Sequence, residues 1–150
     1  MSITIRNLEV AFAGESQAHV KYKYFAKLAR EQGYEDVAKH FEHTAEQEVK
    51  HAWGHLELLV GKPDVKECLQ MAIDGETYEY TEMYPEMLEE AIKEGNQFAA
   101  KEAQHQIEES VEHADQFRMM LETAAKRFKA LQGAEKVHAS KYQQMKEEIA

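Results

Sequence analysis

Apolar residues recur every three or four positions along almost the whole chain, and this spacing constrains the fold more than any other feature. The 150 residues include only seven glycines and two prolines, and the alternation typical of strands is absent. A spacing of three and four places side chains on one face of a helix. We therefore predict an all-α domain over residues 1–150, with helices at about 4–32, 35–60, 65–94 and 97–150. The short connections favour antiparallel neighbours.

The fourth segment is unusually long for such a bundle. Its apolar seam keeps the same spacing from Ile107 to Ile149, and Gly133 is its only weak point. The pattern predicts either one helix of about 50 residues or two helices joined by an unmarked turn. A turn would fall near residues 122–124 and fold the chain back. A straight helix would instead carry its last 25 residues or so to a second subunit, because each residue adds about 1.5 Å.

Composition excludes several classes of function. The chain has 28 acidic and 18 basic residues, a formal charge of -10, which disfavours nucleic acid and anionic membranes as partners. Its single cysteine, Cys68, excludes a disulfide framework and any four-cysteine metal centre within these residues. The N-terminus lacks the apolar run of a signal peptide, and no continuous apolar stretch is long enough to span a membrane. We expect a cytoplasmic location.

Acidic residues interrupt the apolar face, or stripe, near the middle of each of the first three predicted helices. Glu15 lies in the first stripe, Glu48 and His51 form a Glu-x-x-His pair in the second, and Glu76 and Glu79 lie in the third. Charges inside a helical core are unfavourable unless they are paired or bind a metal. At matched depth these side chains would converge, as in the di-iron and di-manganese carboxylate sites of helical bundles. The oxygen-rich donor set suits iron or manganese better than structural zinc.

The fourth helix offers two candidate partners for this cluster. Glu135 and His138 form a second Glu-x-x-His pair within the seam. Nearer the start of the helix lies His113, with Glu109 one turn before it and Ser110 three residues before it. Both alternatives remain open at the level of sequence.

Three stretches of the sequence resemble the di-iron domain of rubrerythrins, and the resemblance extends over about residues 4–96. These stretches are FAGESQA at 12–18, EQEVKHA at 46–52 and GETYEYTEMYP at 75–85. The resemblance implies a ferritin-like antiparallel four-helix bundle with a long fourth helix. It also implies an oxo- or hydroxo-bridged pair of iron ions and reduction of hydrogen peroxide, while the donor set leaves manganese possible as the metal.

The resemblance assigns roles to individual residues. Glu15 and Glu76 correspond to terminal ligands and Glu48 to a bridging ligand. Glu79 and His51 correspond to catalytic alternatives that ligate one iron in different oxidation states. Counting along the family pattern places the family's last Glu-x-x-His pair at Ser110 and His113. The pair that matches the motif itself, Glu135 and His138, lies 25 residues later. The predicted metal ligands are Glu15, Glu48, His51, Glu76, Glu79, Glu135 and His138.

We therefore predict a rubrerythrin-like non-haem di-iron peroxidase. The four-cysteine rubredoxin domain of the family is absent from the sequence, so electrons are expected from an external rubredoxin-like donor. A ferroxidase or iron-handling protein, in which Fe(II) is the substrate, is one alternative. A non-catalytic helical assembly module is the other. We further predict a homodimer with exchanged fourth helices, in which each site borrows Glu135 and His138 from the partner.

Overall fold

The secondary structure of the described residues consists of helices joined by short connections, which confirms the all-α prediction. The computed structural model describes residues 2–149, with the side chains of Gln132 and of residues 147–149 left out; Ala150, the predicted end of the last helix, lies outside the described residues. No strand occurs within 2–149, and no helix there is long and apolar enough to cross a bilayer. The elements are α1 (Ile3–Glu31), α2 (Glu35–Val60), α3 (Val65–Tyr78), a π-helical turn (Glu79–Met83), α4 (Tyr84–Lys93) and α5 (Gln97–Ile149).

Local chemistry sets the helix ends close to where the sequence predicts them. The Ser2 hydroxyl accepts from the backbone of Ile5 at the start of α1. At the start of α3, Asp64 and Glu67 form a capping box, in which each side chain accepts from the backbone N–H of the other residue. Gly33 follows α1 with φ 84°, a left-handed conformation that glycine adopts without steric cost.

The third predicted helix contains Pro85, and a proline inside a helix normally kinks it or removes backbone hydrogen bonds. The structure instead contains a π-helical turn just before the proline, and the Tyr84 N–H donates to the carbonyl of Glu79, five residues earlier. Pro85 then lies in the first turn of α4, where its missing N–H needs no partner. The widened turn begins at Glu79, one of the predicted ligands, and such bulges are frequent at functional sites.

The chain divides into two compact units, residues 1–62 and 63–150. In the first unit, α1 and α2 pack against each other in antiparallel directions, since Arg30 near the end of α1 pairs with Glu35 and Glu42 of α2. The buried residues of this pair are small and mark the line where the two backbones approach most closely. They are Ala26, Ala38, Ala45 and Ala52.

The second unit places α3, the π-helical turn and α4 along one side of α5. Ile73, Ala91, Ala103, Ser110 and Ala114 are its buried residues. Glu79 lies beside Ser110, while Lys66 near the start of α3 lies 4.5 Å from the ring of Phe128. The segment from α3 to α4 therefore runs antiparallel to α5, and α3 begins opposite Phe128.

Helix α5 is uninterrupted from Gln97 to Ile149. The prediction of one helix of about 50 residues is thus confirmed, and the fold-back alternative is wrong, because residues 122–124 remain helical. Alanine and long straight side chains in that region give the backbone no reason to turn. Residues 129–149 continue past the start of α3 for roughly 30 Å, at about 1.5 Å per residue. We call this part of α5 the overhang.

Candidate metal centre

The first unit brings Glu15, Glu48 and His51 together, and we call them the N-terminal cluster. One ligand atom from each residue lies within 4.8 Å of the others. His51 Nδ1 is 3.1 Å from Glu48 Oε2 and 3.9 Å from Glu15 Oε2. The spacing of three places Glu48 and His51 on one face of α2, and the antiparallel packing brings Glu15 of α1 opposite them. Two carboxylates and one imidazole at these distances can bind a cation.

The two carboxylates of this cluster lie close enough to shift each other's pKa. A hydrogen bond to Glu48, together with burial, raises the pKa of Glu15 above its ordinary value. The same hydrogen bond, with a smaller contribution from His51, lowers the pKa of Glu48. One proton thus stays on Glu15 at a pH where an isolated carboxyl group would have lost it. A bound cation would displace that proton and take over the neutralisation of the pair.

His19 strengthens the contact between α1 and α2 beside this cluster. Its Nδ1 lies 2.8 Å from the carbonyl oxygen of Ala45. A carbonyl only accepts, so Nδ1 carries the hydrogen and the ring is held in a single orientation. His19 follows Glu15 by one turn of α1, and the bond therefore fixes the helix segment that carries this carboxylate.

The second unit brings together Glu76, Glu79, Ser110 and His113, which we call the C-terminal cluster. The Ser110 hydroxyl donates to Glu79 Oε2 at 3.0 Å, and Ser110 is only 2% exposed. His113 Nδ1 lies 3.5 Å from Glu76 Oε2. The separation of three residues on α5 matches the separation of three between Glu76 and Glu79, so each pair presents one face to the other.

One atom of the C-terminal cluster lacks a hydrogen-bond partner. Glu76 Oε2 is buried and accepts no hydrogen bond from any described residue. The His113 contact at 3.5 Å is a charge contact, too long for an effective hydrogen bond. An unsatisfied buried carboxylate oxygen is costly, and a metal ion is a common way to satisfy it. This oxygen and the nearby imidazole therefore fit a cation.

Arg118 supports the C-terminal cluster, although the sequence analysis does not single it out. Its guanidinium donates to Thr77 Oγ1 at 3.2 Å, to Tyr80 Oη at 3.3 Å and to Asp115 Oδ1 at 2.7 Å. The bond from Arg118, with one from Thr77, lowers the pKa of Tyr80. These contacts tie the start of the π-helical turn to α5 on both sides of Glu79. No local sequence pattern indicates this role, because Thr77 and Tyr80 lie far from Arg118 along the chain.

Tyr84 lies just after the π-helical turn, near the same carboxylates. Burial raises the pKa of its phenol, and the negative charges of Glu79, Glu102 and Glu76 raise it further. The phenol therefore keeps its proton beside the C-terminal cluster. It is available there as a hydrogen-bond donor to an oxygen ligand.

The two alternatives for the fourth helix are placed differently. His113 contacts Glu76, whereas Glu109 pairs with His105 at 3.4 Å on the exposed side of α5. Glu135 and His138 lie on the overhang with exposed side chains, and no described contact joins them to the C-terminal cluster. Their role as ligands stays a prediction that requires a second copy of the chain.

Comparison with known proteins places these clusters in a family context. The family model described as Rubrerythrin matches residues 6–121. Nigerythrin from Nitratidesulfovibrio vulgaris is 41% identical over 107 residues, which cover 62% of this chain and 53% of nigerythrin. Rubrerythrin from Porphyromonas gingivalis is 39% identical over 126 residues, covering 70% of this chain and 63% of that protein. The chain thus spans roughly half to two thirds of these relatives' length.

Solved structures of nigerythrin are also similar to this chain. The fully reduced, all-ferrous state aligns with 33% identity and a TM-score of 0.42, over 83% of this chain and 69% of the other. The predicted family is confirmed by the match to the family model, and with it the ferritin-like class of helical fold.

Proposed function

The chain belongs to the rubrerythrin family, and we propose that it is a non-haem di-iron peroxidase that reduces hydrogen peroxide with electrons from an external donor. The N-terminal cluster carries this proposal, since it offers two carboxylates and an imidazole within 4.8 Å of one another. The unsatisfied oxygen of Glu76 supports it independently.

Each of the two clusters is proposed to bind metal with the ligand roles that the family resemblance assigns to its residues. Together they supply four carboxylates and two imidazoles, the donor composition of di-iron and di-manganese carboxylate proteins. Four carboxylates neutralise two divalent cations, which removes the repulsion that the apo clusters contain. Oxygen donors with a minority of imidazole favour iron or manganese. In this proposal His113 takes the position on α5 and Ser110 contributes a hydrogen bond in place of a ligand.

The chain's own residues control protonation and ligand exchange in this centre. Glu15, Glu48 and His51 would hold metal in the N-terminal cluster, with Glu48 in the bridging role that the family resemblance implies, and Glu15 would release its proton when a cation binds. Glu79 and His51 would serve as alternative ligands, because a carboxylate suits the ferric and an imidazole the ferrous state. When bound, an iron pair would supply the two electrons that, together with two protons, reduce one peroxide to two waters.

Electrons reach the centre from a separate protein in this proposal. A four-cysteine iron centre cannot form within these 150 residues, which include one cysteine. A rubredoxin-like protein is the proposed donor because it carries one electron at a potential set by such a centre. Such a donor would have to deliver two electrons for each peroxide that is reduced.

We also propose that the protein is a homodimer. A helix pair buries only one line of side chains, and the first unit leaves Val10, Trp53 and Leu58 about two-thirds exposed, at 67%, 66% and 68%. Large apolar residues exposed to this extent are typical of a surface that a further layer covers. The alternative form of this dimer is the exchange, in which the partner supplies Glu135 and His138 in place of His113.

Mixing two defective chains tests that exchange. Glu48→Ala removes the N-terminal bridge and His138→Ala removes the predicted borrowed ligand. Under the exchange, their heterodimer contains one intact site and regains metal. No recovery in a confirmed heterodimer assigns the fourth helix to His113 instead.

Turnover at fixed iron content tests the proposed activity. Iron-loaded protein is given hydrogen peroxide and a rubredoxin-like reductant, and the bound iron is measured before and after. A peroxidase consumes many equivalents of peroxide per iron pair while the iron content stays constant. Consumption of added Fe(II), with mineral or ferric release and no reductant-dependent turnover, identifies the ferroxidase instead.

Matched variants of α2 provide the control. Glu48→Ala is expected to abolish binding of the metal pair and turnover. Glu57→Ala should leave both unchanged, because Glu57 is an exposed residue of α2 that pairs with Lys62 of the connection after the helix. Two irons per chain in Glu48→Ala would contradict the assignment of the N-terminal cluster.

A further inference from the structure

The seam of α5 is shielded along the first part of the helix and exposed along the overhang. Ser110 and Ala114 are buried, and Phe117, Leu121 and Ala124 are half-buried, while the residues between these positions are mostly exposed. The same alternation of three and four continues past Phe128. The positions that continue it are Leu131, Glu135, His138, Tyr142 and Met145, all of them exposed.

A strict alternation of three and four is a seven-residue repeat. Such a repeat keeps one stripe facing a partner helix over a long distance and produces a left-handed coiled coil. In the second unit α3 begins opposite Phe128, as the contact with Lys66 shows. The seam of α5 therefore continues along the overhang, beyond the part of α5 against which α3 packs.

We propose that the overhang pairs with the overhang of a second copy of this chain, as an antiparallel two-stranded coiled coil. The stripe is symmetric about the point midway between residues 136 and 137. A two-fold axis there sets Leu131 of one copy against Tyr142 of the other, and Phe128 against Met145. Every exposed seam position thus meets another seam position, which is the self-complementarity that a two-fold interface requires.

The polar positions of the stripe select this alignment. The two-fold axis sets Glu135 of one copy against His138 of the other, twice, so each carboxylate faces an imidazole donor. A parallel, in-register pairing would instead set Glu135 against Glu135 and His138 against His138. Polar residues at such central positions specify register and orientation in coiled coils. The aligned pair thus gives these two residues a role other than metal ligation.

The surface of the overhang contains a site for the matching side chain. His138, Lys141, Tyr142 and Met145 border a cleft. Their spacing is that of the four residues that form one hole in knobs-into-holes packing. The same two-fold axis places Leu131 of the second copy over this cleft, and Leu131 is 63% exposed in the single chain. The small residues Ala134 and Ala139 flank the stripe and allow the two helices to approach closely.

Sedimentation equilibrium of the full-length protein tests the pairing with two matched substitutions. Leu131→Asp places a charge in the stripe, and Val137→Asp places the same charge off the stripe, at a residue that is 54% exposed. We expect Leu131→Asp to weaken the association by about 100-fold or more, because a buried anchor is lost from both copies, and to halve the mass at micromolar concentration. Val137→Asp should keep the wild-type mass. Equal masses for the two variants would overturn the proposal.

A charge reversal tests the register. His138→Glu sets two carboxylates against each other and should weaken the association, and adding Glu135→Lys should restore it by reversing both pairs. Failure of the double variant to recover would refute the antiparallel alignment. The proposal does not rest on the di-iron assignment: metal content should stay at its wild-type value in Leu131→Asp, while Glu48→Ala should lose metal and keep its mass.

Discussion

Removing one buried hydroxyl should destabilise the second unit and loosen its cluster. In Ser110→Ala, Glu79 Oε2 loses a hydrogen bond of 3.0 Å from a residue that is 2% exposed. A hydrogen bond to a charged group contributes about 1.5–3 kcal/mol. Since Glu79 is only half-buried and water can replace part of the hydrogen bond, we expect the free energy of unfolding to fall by about 1.5 kcal/mol. With a urea dependence of about 1.5 kcal/mol per molar, the unfolding midpoint falls by roughly 1 M.

Urea denaturation of the metal-free protein, followed by circular dichroism, measures this change. Ser140→Ala is the matched control, because its hydroxyl donates only to the Lys136 carbonyl on an exposed part of the same helix. The control also accounts for the higher helix propensity of alanine. In a Glu79→Ala background the effect of Ser110→Ala should nearly vanish, since the acceptor is gone.

Two results would refute this reasoning. One is an equal shift for Ser110→Ala and Ser140→Ala, and the other is an undiminished shift when Glu79 is already alanine. In the metal-loaded protein the same variant should bind metal about 10–100-fold more weakly, as outer partners of ligands generally do. Calorimetric titration with Mn²⁺ checks that value.

Three further predictions concern the proton, the arginine and the helix cap. Because the pKa of Glu15 is raised, a metal ion must displace the proton that Glu15 retains, and the affinity for metal should therefore fall as pH decreases. Titration in two buffers of different ionisation enthalpy should detect this proton release, and its absence would contradict the raised pKa of Glu15. Arg118→Met should raise the pKa of Tyr80 towards its ordinary value, which ultraviolet titration of the phenolate measures, and an unchanged value would exclude the contact. Asp64→Ala removes the capping box of α3 and should cost about 1 kcal/mol in urea denaturation; no loss would show that the cap is dispensable.

Helix positions could be predicted from the sequence because the stripes and caps agree. The three-four spacing fixed the type of each element, and residues such as Gly33 and Asp64 marked its ends. The predicted bounds of the first, second and fourth helices lie within a residue or two of those observed. The length of α5 was also predictable, since no glycine or proline interrupts its midpoint.

The interior of the third helix could not be predicted at the same level. Pro85 signalled a disturbance of the backbone, but its form depends on hydrogen bonds between residues 79 and 84 that no side-chain pattern specifies. The π-helical turn adds one residue to a turn and so changes which side chains lie beside Glu79. Arg118 was missed for a related reason, because its partners Thr77 and Tyr80 lie about 40 residues away in sequence.

The candidate site was predictable in part. The ligand types of the N-terminal cluster followed from charges placed in apolar stripes, and the structure brings those three residues together. On α5 the better local motif, Glu135 and His138, lies on the overhang, whereas the weaker one supplies His113 to Glu76. Local sequence could not distinguish the two, because a spacing of 25 residues leaves both on the same face of a helix.

The location of bound iron tests the central claim most directly. Crystals of the iron-loaded protein, measured at the iron absorption edge, should show two anomalous peaks about 3.5–4 Å apart. The carboxylates of the N-terminal cluster and those of the C-terminal cluster should each lie beside bound iron. Anomalous density at the N-terminal cluster alone, or at neither cluster, would contradict the proposal that the carboxylates of both clusters bind iron.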